Sequence, residues 1–126
     1  YIEVEEGEGM FDLISISEAI KQSYASKGLL VDVRSEEAFK KGHLPMAVNI
    51  PFEDILEEKI DIENDFNVEK EQPVFLYCDT GSTSMLAARK LDSMGIHAYN
   101  VVGGIMFYKG YLEKEKNDLW TMVRTS

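Results

Sequence analysis

Residues 73–84 read Pro73-Val74-Phe75-Leu76-Tyr77-Cys78-Asp79-Thr80-Gly81-Ser82-Thr83-Ser84, and the architecture is argued outward from them. The nearly continuous apolar run Pro73–Tyr77 predicts a strand covered on both faces. Cys78–Thr83 is a polar loop. Ser84–Met94 predicts a helix, because Ala87, Ala88, Leu91 and Met94 recur at helical spacing, and Gly95 suits its end. A doubly covered strand that passes through a short loop into an amphipathic helix is the building unit of a parallel sheet.

The flanking sequence repeats that unit. Leu29–Val33 is a second buried strand, and Ala98–Val102 a third. Ala47–Ile50 is a short strand closed by Pro51, and Phe11–Ile16 an edge strand. Helices are expected over Glu18–Ser26, capped by Ser17 and with Ala19, Ile20 and Tyr24 on one face, and over Glu36–Lys41, capped by Ser35. A further helix is expected around Ile55–Ile60 and a final one over Ile105–Glu113, after the turn Gly103-Gly104. The aromatics Phe107, Tyr108 and Tyr111 are expected in or near the core. Strands alternating with helices predict an α/β fold: a central, mostly parallel sheet flanked by helices.

Bulk properties agree with one globular domain over residues 11–126, preceded by a flexible acidic leader, residues 1–10. The chain has 126 residues, 44% hydrophobic and 29% charged. No apolar run approaches the roughly 20 residues of a membrane span. The net charge of −10 argues against a nucleic-acid partner, whose phosphates it would repel. Residues 1–9 hold four acids and no base, and residues 53–71 hold nine acids and two lysines. Such runs are solvated faces or docking surfaces for a basic partner. Residues 1–10 do not read as a signal peptide, which needs a basic start and an apolar core.

The single cysteine, Cys78, excludes an internal disulfide and any multi-cysteine metal site, and neither a metal nor a cofactor is expected. Its setting is the chemical signal. Ligands of open α/β sheets bind beyond the carboxyl ends of the strands, where Cys78 sits. Gly81 permits a tight left-handed loop, the small hydroxyl residues leave the backbone N–H groups uncovered, and the following helix points its positive end at the loop. N–H groups wrapped around one point form an anion nest, which stabilises a thiolate. Asp79, a carboxylate beside the sulfur, is expected to oppose that effect.

Four segments carry a family resemblance. Leu29-Leu30-Val31-Asp32-Val33-Arg34-Ser35 resembles the opening signature of the rhodanese-like family. Gly42-His43-Leu44-Pro45-Met46-Ala47-Val48-Asn49-Ile50-Pro51 is similar to the family's Gly-His-Ile-Pro-Gly-Ala-x-Asn-Ile-Pro stretch, with Met46 in place of a Gly. Cys78–Ser84 resembles its active-site loop, Cys-x-x-Gly-x-Arg-Ser. Val101-Val102-Gly103-Gly104-Ile105 with Tyr108 is similar to its Gly-Gly-hydrophobic motif, where Trp is common at the Tyr108 position. The resemblance implies the three-layer rhodanese-like fold and sulfurtransferase chemistry through a cysteine persulfide. It implies Cys78 as nucleophile and sulfur carrier, a cradle formed by the backbone of Asp79, Thr80, Gly81, Ser82, Thr83 and Ser84, and a structural role for the pair Asp32 and Arg34. The implied partners are a small sulfur donor or a persulfidated protein, and a thiol or cyanide-like acceptor.

One departure bears on the donor. Many members place Arg five residues after the cysteine, where this chain has Thr83. Arg would offer a charged fork to a sulfur oxyanion, so weak use of thiosulfate, a dianion, is expected. Phosphatases on this fold use a loop one residue longer with Arg at the position of Ser84; phosphoryl transfer needs that cation, so it is not expected here. Arg89 lies too far along the helix to substitute.

Other residues have plain readings. His43 is expected to make structural hydrogen bonds, His97 to lie on the surface, and Arg34 to pair locally with Glu37. Trp120 could anchor the tail or pack on a neighbouring domain in a longer chain. Two alternatives to sulfur transfer are a catalytically quiet binding or regulatory module of a larger protein, and thiol redox sensing, which would need a resolving thiol from outside. The lone thiol and the absence of an export signal point to the cytoplasm.

Overall fold

The computed structural model describes residues 12–69 and 71–114; the acidic leader and Trp120 lie outside the described residues. The elements follow in the order β1 (Asp12–Ile14), α1 (Ile16–Tyr24), β2 (Leu29–Asp32), α2 (Glu36–Lys41), β3 (Val48–Asn49), α3 (Phe52–Leu56), α4 (Ile62–Asp65), β4 (Val74–Tyr77), α5 (Ser82–Ser93) and β5 (Ala98–Val101), then a 3-10 turn, Ile105–Phe107. The strands form one sheet in the order β1-β5-β4-β2-β3, and every pairing is parallel.

The pleat of β4 explains the three layers. Successive side chains of a strand point to opposite faces. Val74 and Leu76 join Val31, Ile55, Ala87, Ala88 and Leu91 on the face covered by α3, α4 and α5. Phe75 and Tyr77 join Ile14, Ala19, Leu30 and Val101 on the face covered by α1. All four β4 residues are buried, as their continuous apolar character predicts. The strand that carries Cys78 therefore sits in the middle of the sheet.

Several local expectations are corrected. Ser15, not Ser17, caps α1 by accepting from the Glu18 amide at 3.2 Å. Tyr24 and Met94 are exposed, because Ser23 and Leu91 take the inward positions near their helix ends. α5 starts at Ser82, two residues early, because left-handed Gly81 occupies the N-cap with no capping side chain. The helix expected around Ile55–Ile60 lies earlier, as α3 at Phe52–Leu56, and a further helix, α4, capped by Asp61, follows it. The final helix is only the 3-10 turn Ile105–Phe107. Beyond it the chain runs out to pair Glu113 with His43 in an antiparallel bridge. Phe107 and Tyr111 are consequently exposed, and of the three aromatics only Tyr108 packs on the core.

Candidate functional site

Cys78 is the first residue after β4, and its sulfur closes the N-terminus of α5. A helix leaves its first N–H groups without internal partners, and a side-chain oxygen at the N-cap usually accepts from the third residue. Gly81 has no side chain to do this. The Cys78 sulfur takes the role: it accepts from the Ser84 amide at 3.3 Å and from the Gly81 amide at 3.1 Å. The Ser84 hydroxyl lies 3.4 Å from the same atom. The φ of +105° at Gly81 turns its amide inward, a conformation that favours glycine.

Burial alone pushes the thiol up. The Ser84 hydroxyl and amide and the Gly81 and Thr80 amides outweigh it, and the net shift is downward. The expected opposition from Asp79 is not met. Its carboxylate is exposed and turned toward Arg34, 3.7 Å from the guanidinium. Of the six cradle residues, then, Gly81 and Ser84 bond to the sulfur and Thr80 adds to its stabilisation. Asp79, Ser82 and Thr83 line the cavity. That cavity measures about 670 Å³, and Arg34, Phe52, Glu53, Leu86 and Met106 complete much of its wall.

The lowered thiol gives a pH prediction. Alkylation of Cys78 by iodoacetamide is expected to reach half its maximal rate at a lower pH in the folded protein than in the urea-unfolded chain. The sign for stability follows by linkage. A depressed folded value adds stability that is complete above the unfolded thiol's pKa and is lost as pH falls through the folded value. Cys78→Ala should remove that alkaline increment from a pH series of denaturation curves.

Arg34 does not pair with Glu37. It grips the wholly buried Asp32 through Nε, 3.0 Å from both carboxylate oxygens, and Nη2, 2.7 Å from Oδ2. Nη2 also donates to the Gly42 carbonyl at 2.7 Å, and the guanidinium lies 5.9 Å from the Tyr77 ring centroid. Its fork is thus occupied by the protein. His43 is buried, stacks on Phe39 at 3.7 Å and bonds the Phe39 carbonyl through Nδ1 at 2.9 Å, as the structural reading expects. His97 lies at the surface beside Asp12.

Asn100 is a residue beside the site that the sequence reading missed. It lies on β5, almost fully buried, with Oδ1 2.5 Å from the Ser84 hydroxyl and Nδ2 3.2 Å from the Gly81 carbonyl. The available signal was an amide side chain in the middle of Ala98–Val101, where a parallel sheet normally buries apolar groups.

The protein belongs to the rhodanese-like domain family, whose model matches residues 15–110. It is similar to the tRNA sulfurtransferase of Desulfurococcus amylolyticus, with 35% identity over 94 residues, 75% of this chain and 17% of that protein. It is 36% identical over 81 residues to the putative sulfurtransferase YtwF of Bacillus subtilis, covering 64% of this chain and 73% of that one. The fold matches a rhodanese-like domain protein of Staphylococcus aureus with a TM-score of 0.66 and 28% identity, over 84% of this chain and 99% of the other. The five-stranded sheet with helices on both faces is the rhodanese-like α/β fold. Both of these relatives are named as sulfurtransferases, the second as a putative one.

Proposed function

We propose that residues 11–126 form one domain that carries sulfur on Cys78. The observation behind this reading is a sulfur that caps α5, bonded to two backbone amides and facing a cavity of about 670 Å³. The Cys78 thiolate attacks the outer sulfur of a donor, the donor's S–S bond breaks, and the donor leaves with the electron pair as a thiolate. Cys78 is then a persulfide. An acceptor nucleophile, a thiol or a cyanide-like anion, attacks the outer sulfur, and the electron pair of the broken bond returns to Sγ. No redox partner is consumed.

The donor class follows from the wall. Thr83 stands where a cationic fork would hold a dianion, Arg34 is engaged by Asp32, and Glu53 and Asp79 add negative charge. Leu86 and Met106 are exposed apolar groups on the same wall. These features favour a low-molecular-weight persulfide, a polysulfide or a persulfidated protein over thiosulfate. Thr83→Arg is expected to raise thiosulfate use by roughly 10- to 100-fold, the worth of a charged hydrogen bond. Equal rates in a cyanide-coupled assay would remove Thr83 from the argument.

The reading is tested by intact-mass spectrometry after separate exposure to thiosulfate, polysulfide and glutathione persulfide. One added sulfur that needs Cys78, absent in Cys78→Ala and released by cyanide, is the expected result. No added sulfur from any donor would leave the binding-module reading. The exposed acids of α3 and α4 would then be the surface to probe with a basic partner. The chain spans only 17% of the tRNA sulfurtransferase, so a neighbouring domain as sulfur source or recipient forms part of this proposal. A reducing compartment such as the cytoplasm suits its single free thiol.

A further inference from the structure

The Ser84 hydroxyl has one proton and two acceptors within reach. Its oxygen is 2.5 Å from Asn100 Oδ1 and 3.4 Å from Cys78 Sγ. The Asn100 amide is held with its oxygen toward Ser84, because only its NH2 group can donate to the Gly81 carbonyl, 3.2 Å away. Ser84 and Asn100 are both buried, so water does not supply a substitute partner for either. A hydroxyl proton bonds strongly along one direction at a time, and an anionic acceptor competes better for it than a neutral sulfur.

We propose that Ser84 and Asn100 form a two-position hydrogen-bond relay beneath the sulfur. The Ser84 proton points to Asn100 while Sγ is uncharged and turns to Sγ when an electron pair collects there. Ser84 keeps its proton throughout, so the switch is a rotation about the side chain. Asn100 is a positioning residue that acts through Ser84.

The catalytic consequence rests on the sulfur-transfer reading. In the persulfide the negative charge sits on the outer sulfur, and Sγ is a neutral bridging atom. The hydroxyl then belongs to Asn100. When the acceptor attacks and the S–S bond breaks, the pair returns to Sγ, and the hydroxyl turns to meet it. The relay therefore assists the leaving group of the second half-reaction, an interaction made as charge develops. Asp79 from the loop, Arg34 from the end of β2 and Glu53 from α3 are the charged groups on the same cavity, and none is altered in the variants below.

The relay predicts opposite signs for two neighbouring substitutions. In the pH dependence of Cys78 alkylation, Ser84→Ala removes a donor to the thiolate and is expected to raise the midpoint. Asn100→Leu removes the competing acceptor, leaves the hydroxyl only the sulfur to serve, and is expected to lower it. In the Ser84→Ala background Asn100→Leu should change nothing. An upward shift from Asn100→Leu, or an equal shift in both backgrounds, would reduce Asn100 to a prop for the loop. A wild-type measurement covers the case in which Asn100→Leu does not fold. The Asn100 side-chain carbonyl resonance should titrate with the Cys78 midpoint, and a flat response would overturn the relay. Discharge of preformed persulfide to cyanide should slow about tenfold in Ser84→Ala; an unchanged rate would sink the leaving-group role. If no donor forms a persulfide, the sulfur-transfer reading fails, while the alkylation and resonance results still decide the relay.

Discussion

Arg34→Leu is expected to cost the fold about 3–5 kcal/mol, the usual consequence of removing one partner from a buried ion pair. Asp32 is wholly buried, and Arg34 supplies three of its short contacts. Without the guanidinium the carboxylate keeps the Arg34 backbone amide, at 2.8 Å, and the Tyr77 hydroxyl, both neutral donors. The Gly42 carbonyl loses its donor at the same time. A domain of ordinary stability, about 5–15 kcal/mol, would be left marginal. Arg34→Lys should recover only part of the loss, since an ammonium cannot span both carboxylate oxygens in a fork. Urea denaturation at neutral pH reads both variants. A cost below about 1 kcal/mol for Arg34→Leu, the range of an exposed pair, would show that the cluster does not hold the ends of β2 and β4 together.

Gly104→Ala is expected to cost a similar amount and, unlike Arg34→Leu, to act directly on the sulfur. Gly104 has φ +65° and ψ −171°, a region used almost only by glycine, at about 1–3 kcal/mol for other residues. A Cβ there would stand 2.5 Å from the Cys78 carbonyl oxygen and 2.4 Å from that of Asp79. Both neighbours are backbone, so neither can swing aside, and overpacking adds about 1–3 kcal/mol. These two carbonyls also accept from the Ile105 and Met106 amides at 2.9 Å each, the bonds that tie the loop to the 3-10 turn. Pushing the turn away frees the loop, loosens the amides around Sγ, and should move the alkylation midpoint upward. A variant that unfolds more easily yet keeps the wild-type midpoint would mean that Gly81 and Ser84 hold the sulfur without help from the turn.

What the sequence made legible follows the strength of each local signal. β2 and β4 stood out because both faces of each are buried, leaving continuous apolar runs. The cysteine loop was legible because strand, loop and helix meet in one contiguous segment. The start of α5 was displaced because the apolar spacing begins only at Ala87, whereas the helix is started at Ser82 by a left-handed glycine and a distant sulfur. The final helix over-reached. Its aromatic spacing suggested an inward face, but Phe107 and Tyr111 point to solvent while Glu113 returns to His43. One link was invisible because it crosses the fold: Asn100 reaches Ser84 from β5. Arg34 took Asp32, two residues back and already implied by the family resemblance, over the helical neighbour Glu37. Sequence spacing describes neighbours along the chain, and the site is completed by neighbours across the sheet.

The sheet's outer margins carry a last consequence. Among the described residues, β1 offers three residues at one edge and β3 only two at the other. An unpaired strand edge is a template on which another chain can add a strand, and margins this brief offer few backbone groups to copy. The described edges therefore give an incoming strand little backbone to pair with. The side on which Cys78 opens is walled by loop and helix residues instead of strand edges.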